Sequence, residues 1–230
     1  MIKIENVEVV GWESAIRGMR NPLNSWDKSD TLFIKSEYTD NVDEFLIAEK
    51  CGGYLPVIRD NDLDLMKRLV KAGTDHRKFM RMITVYVDVT APLYWWAECD
   101  TYKVGTVRNS CSKMHTIHKK EFTLEDFSHE HLSDDSIKLL KDIVFILNFH
   151  REKYLETKDK KYWWQIIQLL PSSYNQRATL MLNYEVLANM YHSRKNHKLN
   201  EWVEFCKWIE TLPYSELITG GEVDESNNIT

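Results

Sequence analysis

The chain has 230 residues, 43% hydrophobic and 28% charged, the composition of a globular protein with room for one sizeable core. Its net charge is −5 and no block of Lys and Arg stands out, which argues against a polymeric nucleic acid partner. A small anion needs only a few placed cations, so a nucleotide remains open.

In chain order, Ile2, Ile4, Val7 and Val9 give an opening strand. Trp12, Ala15, Ile16 and Met19 carry helical spacing, stopped at Asn21-Pro22. Asp43 to Lys50 reads as a helix ended by Gly52-Gly53. Leu63, Met66, Leu69 and Val70 mark another, with Gly73 at its end. Ile83, Val85, Val87 and Val89 alternate with Thr84, Tyr86 and Asp88, the pattern of a strand with one buried face, and Pro92 ends it. Ser133 is suited to cap a long helix running to about Tyr154. A helix is expected from about Tyr174 to Ser193, and a last one from Leu199 to Leu212. Strands early and helices late make the fold class α+β. With no repeat and no linker, one domain is expected over 1–218. The small polar residues from Thr219 to Thr230 read as a disordered tail.

Cys51, Cys99, Cys111 and Cys206 are far apart, with no C-x-x-C pair, so neither a disulfide scaffold nor a zinc site is expected. His115 and His118, and His129 and His131, are close in sequence, but no Cys, Asp or Glu pattern completes a metal site. No apolar run approaches a membrane span and nothing reads as a signal peptide. A reducing cytoplasm is the expected location, with no membrane partner.

Several residues carry chemistry. On a continuous helix, Asn183 and Arg194 are eleven residues apart and about 20° from superposed, with Leu187 and Met190 on the same face. Such a polar pair either meets a ligand or cross-links neighbouring elements. Asn189 points elsewhere. Tyr102 and the Trp95-Trp96 pair suit either stacking on a planar ring or core packing. Cys111 is either a thiol near a ligand or an inert one.

The C-terminal quarter resembles the flavin-dependent thymidylate synthases. The likeness rests on Leu170-Pro171, on Asn183, Leu187 and Asn189, on Arg194, and on Leu212-Pro213-Tyr214. Upstream, Lys71-Ala72-Gly73, the 83–89 strand and Ala91-Pro92 follow the family's order. The family's Arg-His-Arg-x-x-Ser motif then falls on Thr101 to Thr106, where Lys103 and Thr106 are similar replacements and Thr101 and Tyr102 are not. A following family Ser and Arg fall on Cys111 and Lys113, and the Gln before the motif on Glu98. A phosphate-holding Arg of the family falls on Ile167, and Arg108 is a candidate to replace it.

The resemblance implies a mostly antiparallel sheet packed with helices and a homotetramer whose sites are shared between subunits. It implies FAD as cofactor, held by Asn183, Asn189, Tyr102, Lys103 and Thr106. It implies a pyrimidine deoxynucleotide such as dUMP as substrate, contacted by Arg194, Glu98, Cys111 and Lys113, with Arg194 polarising the base. NADPH and methylenetetrahydrofolate would be co-substrates for methylation. The altered motif leaves a second reading: a nucleotide-binding or oligomeric relative that has lost the synthase chemistry.

Overall fold

The computed structural model describes residues 2–220. The chain opens with β1 (Lys3–Val10), α1 (Trp12–Arg20), β2 (Leu32–Lys35), α2 (Val42–Lys50), β3 (Tyr54–Val57) and α3 (Asp60–Lys71). Next come β4 (Thr84–Pro92), α4 (Leu93–Cys99), β5 (Val107–Ser110) and the single turn α5 (Lys113–Thr116). Then follow α6 (Asp134–Thr157), α7 (Lys160–Leu169), β6 (Asn175–Asn183), α8 (Tyr184–Arg194), α9 (Asn200–Glu210) and α10 (Glu216–Thr219). Four strands are hydrogen-bonded in the order β1-β4-β6-β5, and β2 pairs antiparallel with β3. This is the expected α+β mixture of helices and antiparallel sheet.

The alternation read in β4 holds. Ile83, Val85, Val87 and Val89 are all fully buried. Each contributes about 1.5–3 kcal/mol relative to exposure. The stripe on α1 is also buried at Trp12, Ala15, Ile16 and Met19. Ser133 caps α6 by accepting a hydrogen bond from the Ser136 N–H, as its position suggests.

The expected helix from Tyr174 is corrected. Residues 175–183 form strand β6, and the helix begins only at Tyr184. Gln176, Ala178, Leu180 and Leu182 are buried in strict alternation. Ala, Leu and Met favour helices locally, but burial in a sheet overrides that weak preference. Asn183 therefore precedes α8 and does not share a helix face with Arg194.

The chain divides into two compact units. The first unit takes in Val89–Thr101 and Asn109–Ala178. Its core gathers Ile117, Phe122, Phe127, Leu140, Leu147 and Ile166 around α6 and α7. Asn148 on α6 pins the Phe122 backbone, donating to its carbonyl and accepting from its N–H at 2.8 Å each. The second unit takes in Ile4–Asp88, Tyr102–Arg108 and the chain from Thr179 on. Its core includes Trp12, whose ring meets Tyr184 and Tyr214 edge-on at 5.3 and 5.4 Å.

Thr219 is buried at the end of α10 and Gly220 follows it, so the expected tail beyond these two lies outside the described residues. Among the described residues no helix is long and apolar enough to cross a membrane.

Candidate functional site

The first unit holds a pocket of about 200 Å³ whose lining includes Cys111, Lys113, Lys120, Asp126, Tyr174 and Arg177. Two hydrogen bonds hold the Cys111 backbone. The Cys111 N–H donates to the Arg177 carbonyl at 3.0 Å, and Gln176 Nε2 donates to the Cys111 carbonyl at 2.6 Å. Gln176 is itself buried, and its carbonyl accepts from Trp96 Nε1 at 2.9 Å. Pinned from both sides, Cys111 keeps its side chain exposed. Ser112 caps the short turn that carries Lys113.

Charge in the pocket leans positive. Lys113, Lys120 and Arg177 stand against Asp126 and Glu121, and Lys120 pairs with Asp126 at 2.9 Å. Tyr174 closes one wall, its ring braced edge-on by Phe127 at 5.6 Å and Phe122 at 6.2 Å. Burial pushes the Tyr174 hydroxyl up, and the negative charge of Asp126 acts the same way. The phenol therefore stays a neutral donor. A cation-rich rim beside a fixed aromatic ring can take a small anion attached to a flat group.

Lys120, Tyr174 and Arg177 escape a sequence reading, because they reach the pocket from separate elements. Arg177 is the outward residue between buried Gln176 and Ala178 on β6. Ile167, where the resemblance implies a cation, packs against the core of the first unit. Arg177 lines this pocket, whereas Arg108 belongs to the second unit.

Of the other candidates, Glu98 is half-buried near the end of α4, in the same unit as Cys111 and Lys113. Tyr102, Lys103, Thr106, Asn183, Asn189 and Arg194 all belong to the second unit. Asn183 caps α8, its Oδ1 accepting from the Val186 N–H at 3.0 Å. Losing such a cap costs about 1 kcal/mol. Its Nδ2 faces Gly105, where an added Cβ would lie 2.8 Å away. Asn189 is exposed, with Oδ1 accepting from Arg77 Nη2 at 3.3 Å.

Arg194 is held by its own chain. Its Nε donates to Tyr102 Oη at 3.0 Å. Its guanidinium lies 4.8 Å from the Trp202 ring and 5.6 Å from the Tyr102 ring. Its Nη1 is 3.0 Å from His197 Nε2. Cation–π contacts of this kind are worth about 0.5–2 kcal/mol. The sequence signal for His197 was its place three residues after Arg194; Trp202 gave none beyond its helical stripe.

Of the residues the resemblance gives to the flavin, Asn183, Asn189 and Tyr102 are each hydrogen-bonded inside the unit. Lys103 is exposed, and the buried Thr106 hydroxyl has no hydrogen-bond partner among the described residues. Among those residues no group of three or more His, Cys, Asp or Glu could hold a metal ion.

No protein-family model matches the sequence, and no curated protein matches it. Solved structures do. One is a flavin-dependent thymidylate synthase from Helicobacter pylori complexed with FAD and dUMP, at a TM-score of 0.60 and 16% identity over 93% of this chain and 96% of that one. Another structure of that enzyme with FAD and dUMP gives a TM-score of 0.58 and 16% identity, covering 92% and 96%. The chain has the fold of the flavin-dependent thymidylate synthases.

Proposed function

We propose that the chain is a divergent relative of the flavin-dependent thymidylate synthases that binds a pyrimidine deoxynucleotide such as dUMP. The observation that carries this is the pocket at Cys111, where Lys113, Lys120 and Arg177 outnumber the carboxylates beside the Tyr174 ring. The cations would take the phosphate, with Arg177 offering the planar fork that Lys lacks. Tyr174 would lie along the base or sugar. The dUMP bound by the similar structures supports the same ligand class.

Titration calorimetry with dUMP checks this reading. The parent protein binds dUMP, and Arg177→Ala weakens binding about tenfold or more, the worth of a charge-assisted hydrogen bond. Deoxyuridine, which lacks the phosphate, responds little to the same change. Equal dUMP affinity in parent and Arg177→Ala protein would sink the assignment.

A flavin-dependent synthase reaction is the second reading, favoured by the FAD in the similar structures and by the partnerless Thr106 hydroxyl. Lys103, Thr106 and Asn189 would hold the cofactor. Bound reduced FAD, with NADPH and methylenetetrahydrofolate as co-substrates, would supply the methyl group. Against it stand Tyr102, Asn183 and Arg194, each already engaged, which suits a nucleotide-binding relative that has lost catalysis. The absorbance spectrum of the purified protein separates the two: a flavin band supports the synthase, and a colourless protein that takes up no added FAD removes it.

Assembly into a homo-oligomer, a tetramer by the resemblance, belongs to this proposal. On α6, Leu140 and Leu147 are buried, yet Leu139, Phe145, Ile146 and Phe149 form an exposed stripe, with Phe145 73% exposed. A helix apolar on two sides is covered on both. Light scattering of Phe145→Glu/Phe149→Glu protein is expected to give a smaller mass than the parent. An unchanged mass would show that this stripe is not the interface.

A further inference from the structure

A second pocket lies wholly in the other unit, beside α1. Its volume is about 260 Å³, and its lining includes Ile16, Arg17, Arg20, Trp26, Thr31 and Phe33. Arg20 is 3% exposed. Its Nε donates to Asp62 Oδ1 at 2.6 Å, and its Nη1 donates to the Ser25 carbonyl at 3.2 Å. Nη2 is buried and has no partner among the described residues. A buried guanidinium nitrogen left unpaired is an unmet donor.

Asp62 cannot meet it, because its other oxygen is saturated. Oδ2 accepts from Ser29 Oγ at 2.8 Å, Thr31 Oγ1 at 2.7 Å, and the Asp30 and Thr31 N–H groups at 3.1 and 3.0 Å. These bonds also fix the hydroxyls. Ser29 and Thr31 spend their protons on Asp62, so towards the pocket they offer only lone pairs. Arg20, Ser29 and Thr31 all line the pocket, Arg20 with a buried unmet donor and the two hydroxyls with acceptors only. Trp26 and Phe33 add half-exposed aromatic walls.

We infer that this pocket binds a planar heteroaromatic ring through a lactam edge, a carbonyl beside an N–H. The carbonyl takes Arg20 Nη2, and the N–H meets Thr31 or Ser29. The rings of Trp26 and Phe33 cover the ring faces. Nη2 is closed to solvent, so binding needs a lining side chain to move. The proposal gives that movement to the Trp26 ring, which is half-exposed and held by a side-chain bond from Nε1 to Asn21 Oδ1 at 2.7 Å. Purine and pyrimidine lactams share this edge, and the pocket has room for the larger ring system.

The inference is independent of the nucleotide pocket at Cys111. Calorimetry on the full chain with inosine, purine riboside and uridine tests it. Inosine carries the lactam edge, and purine riboside lacks the carbonyl. Inosine is expected to bind, and purine riboside to bind about tenfold more weakly. A uridine affinity equal to that of inosine would assign the edge to pyrimidines as well. Trp26→Ala and Phe33→Ala, both at half-exposed positions, each weaken the lactam ligand, whereas Lys113→Ala does not. Three results would overturn it: no heat with any nucleoside, equal affinity for inosine and purine riboside, or binding lost in Lys113→Ala but kept in Trp26→Ala.

Discussion

Asp62→Ala is expected to destabilise the protein by about 3–5 kcal/mol, the usual effect of removing one member of a buried ion pair. Such a loss is a large share of the about 5–15 kcal/mol that holds a domain folded. Asp62 is fully buried and receives five hydrogen bonds from Arg20, Ser29, Asp30 and Thr31. It joins the start of α3 to the end of α1 and organises the chain between them. Without it Arg20 keeps its charge in a buried site that has lost its ion-pair partner. Replacing both partners, as in Arg20→Met/Asp62→Leu, should cost less than Asp62→Ala alone, because no uncompensated charge remains. Urea unfolding followed by circular dichroism measures both. A double variant as unstable as the single one would show that the hydrogen bonds, and not the charge, dominate.

The same carboxylate sets an acid limit. Burial pushes the Asp62 pKa up, but the bonds from Thr31, Ser29, Arg20 and the Asp30 N–H together hold it below its ordinary 3.8. A depressed folded pKa means the unfolded chain binds the proton more readily. Its contribution is therefore complete above the ordinary value and fades as pH falls from there through the folded pKa. Stability measured from neutral pH downwards should drop in that acid range, and Asp62→Ala should drop less over it. A parallel fall in both would assign the acid limit to other groups.

What the sequence made legible follows from range. The β4 alternation, the α1 stripe and the Ser133 cap are local patterns, and each holds in the structure. Strand β6 was not legible, because Ala178, Leu180, Met181 and Leu182 are as suited to a helix and only the neighbouring strands decide. The four-residue strands β2, β3 and β5 are too short to show a period. Helix α7 hides because Trp163, Ile166 and Ile167 gain meaning only against α6 and its neighbours. The pocket residues divide the same way. Cys111 and Lys113 come from one stretch and were picked out by resemblance, whereas Lys120, Tyr174 and Arg177 converge only on folding. Arg20 and Asp62 are forty-two positions apart and gave no signal.

Gly11→Ala is expected to cost about 3–5 kcal/mol, backbone strain and overpacking together. Gly11 has φ +95°, a left-handed conformation that side chains other than hydrogen resist. An added Cβ would sit 2.1 Å from the Met82 carbonyl oxygen. That oxygen is backbone at the entry to β4, so no rotamer change relieves the clash. Either α1 or the start of β4 must move, and with α1 goes Trp12, packed on Tyr184 and Tyr214. Gly53→Ala is the control. Gly53 has φ +87° but nothing within 4 Å of its added Cβ, so only the strain term, about 1 kcal/mol, remains. Denaturation midpoints of the two variants should differ widely. Similar midpoints would mean that the junction between β1 and α1 yields at little cost, and that Trp12 does not depend on the close approach of Gly11 to Met82.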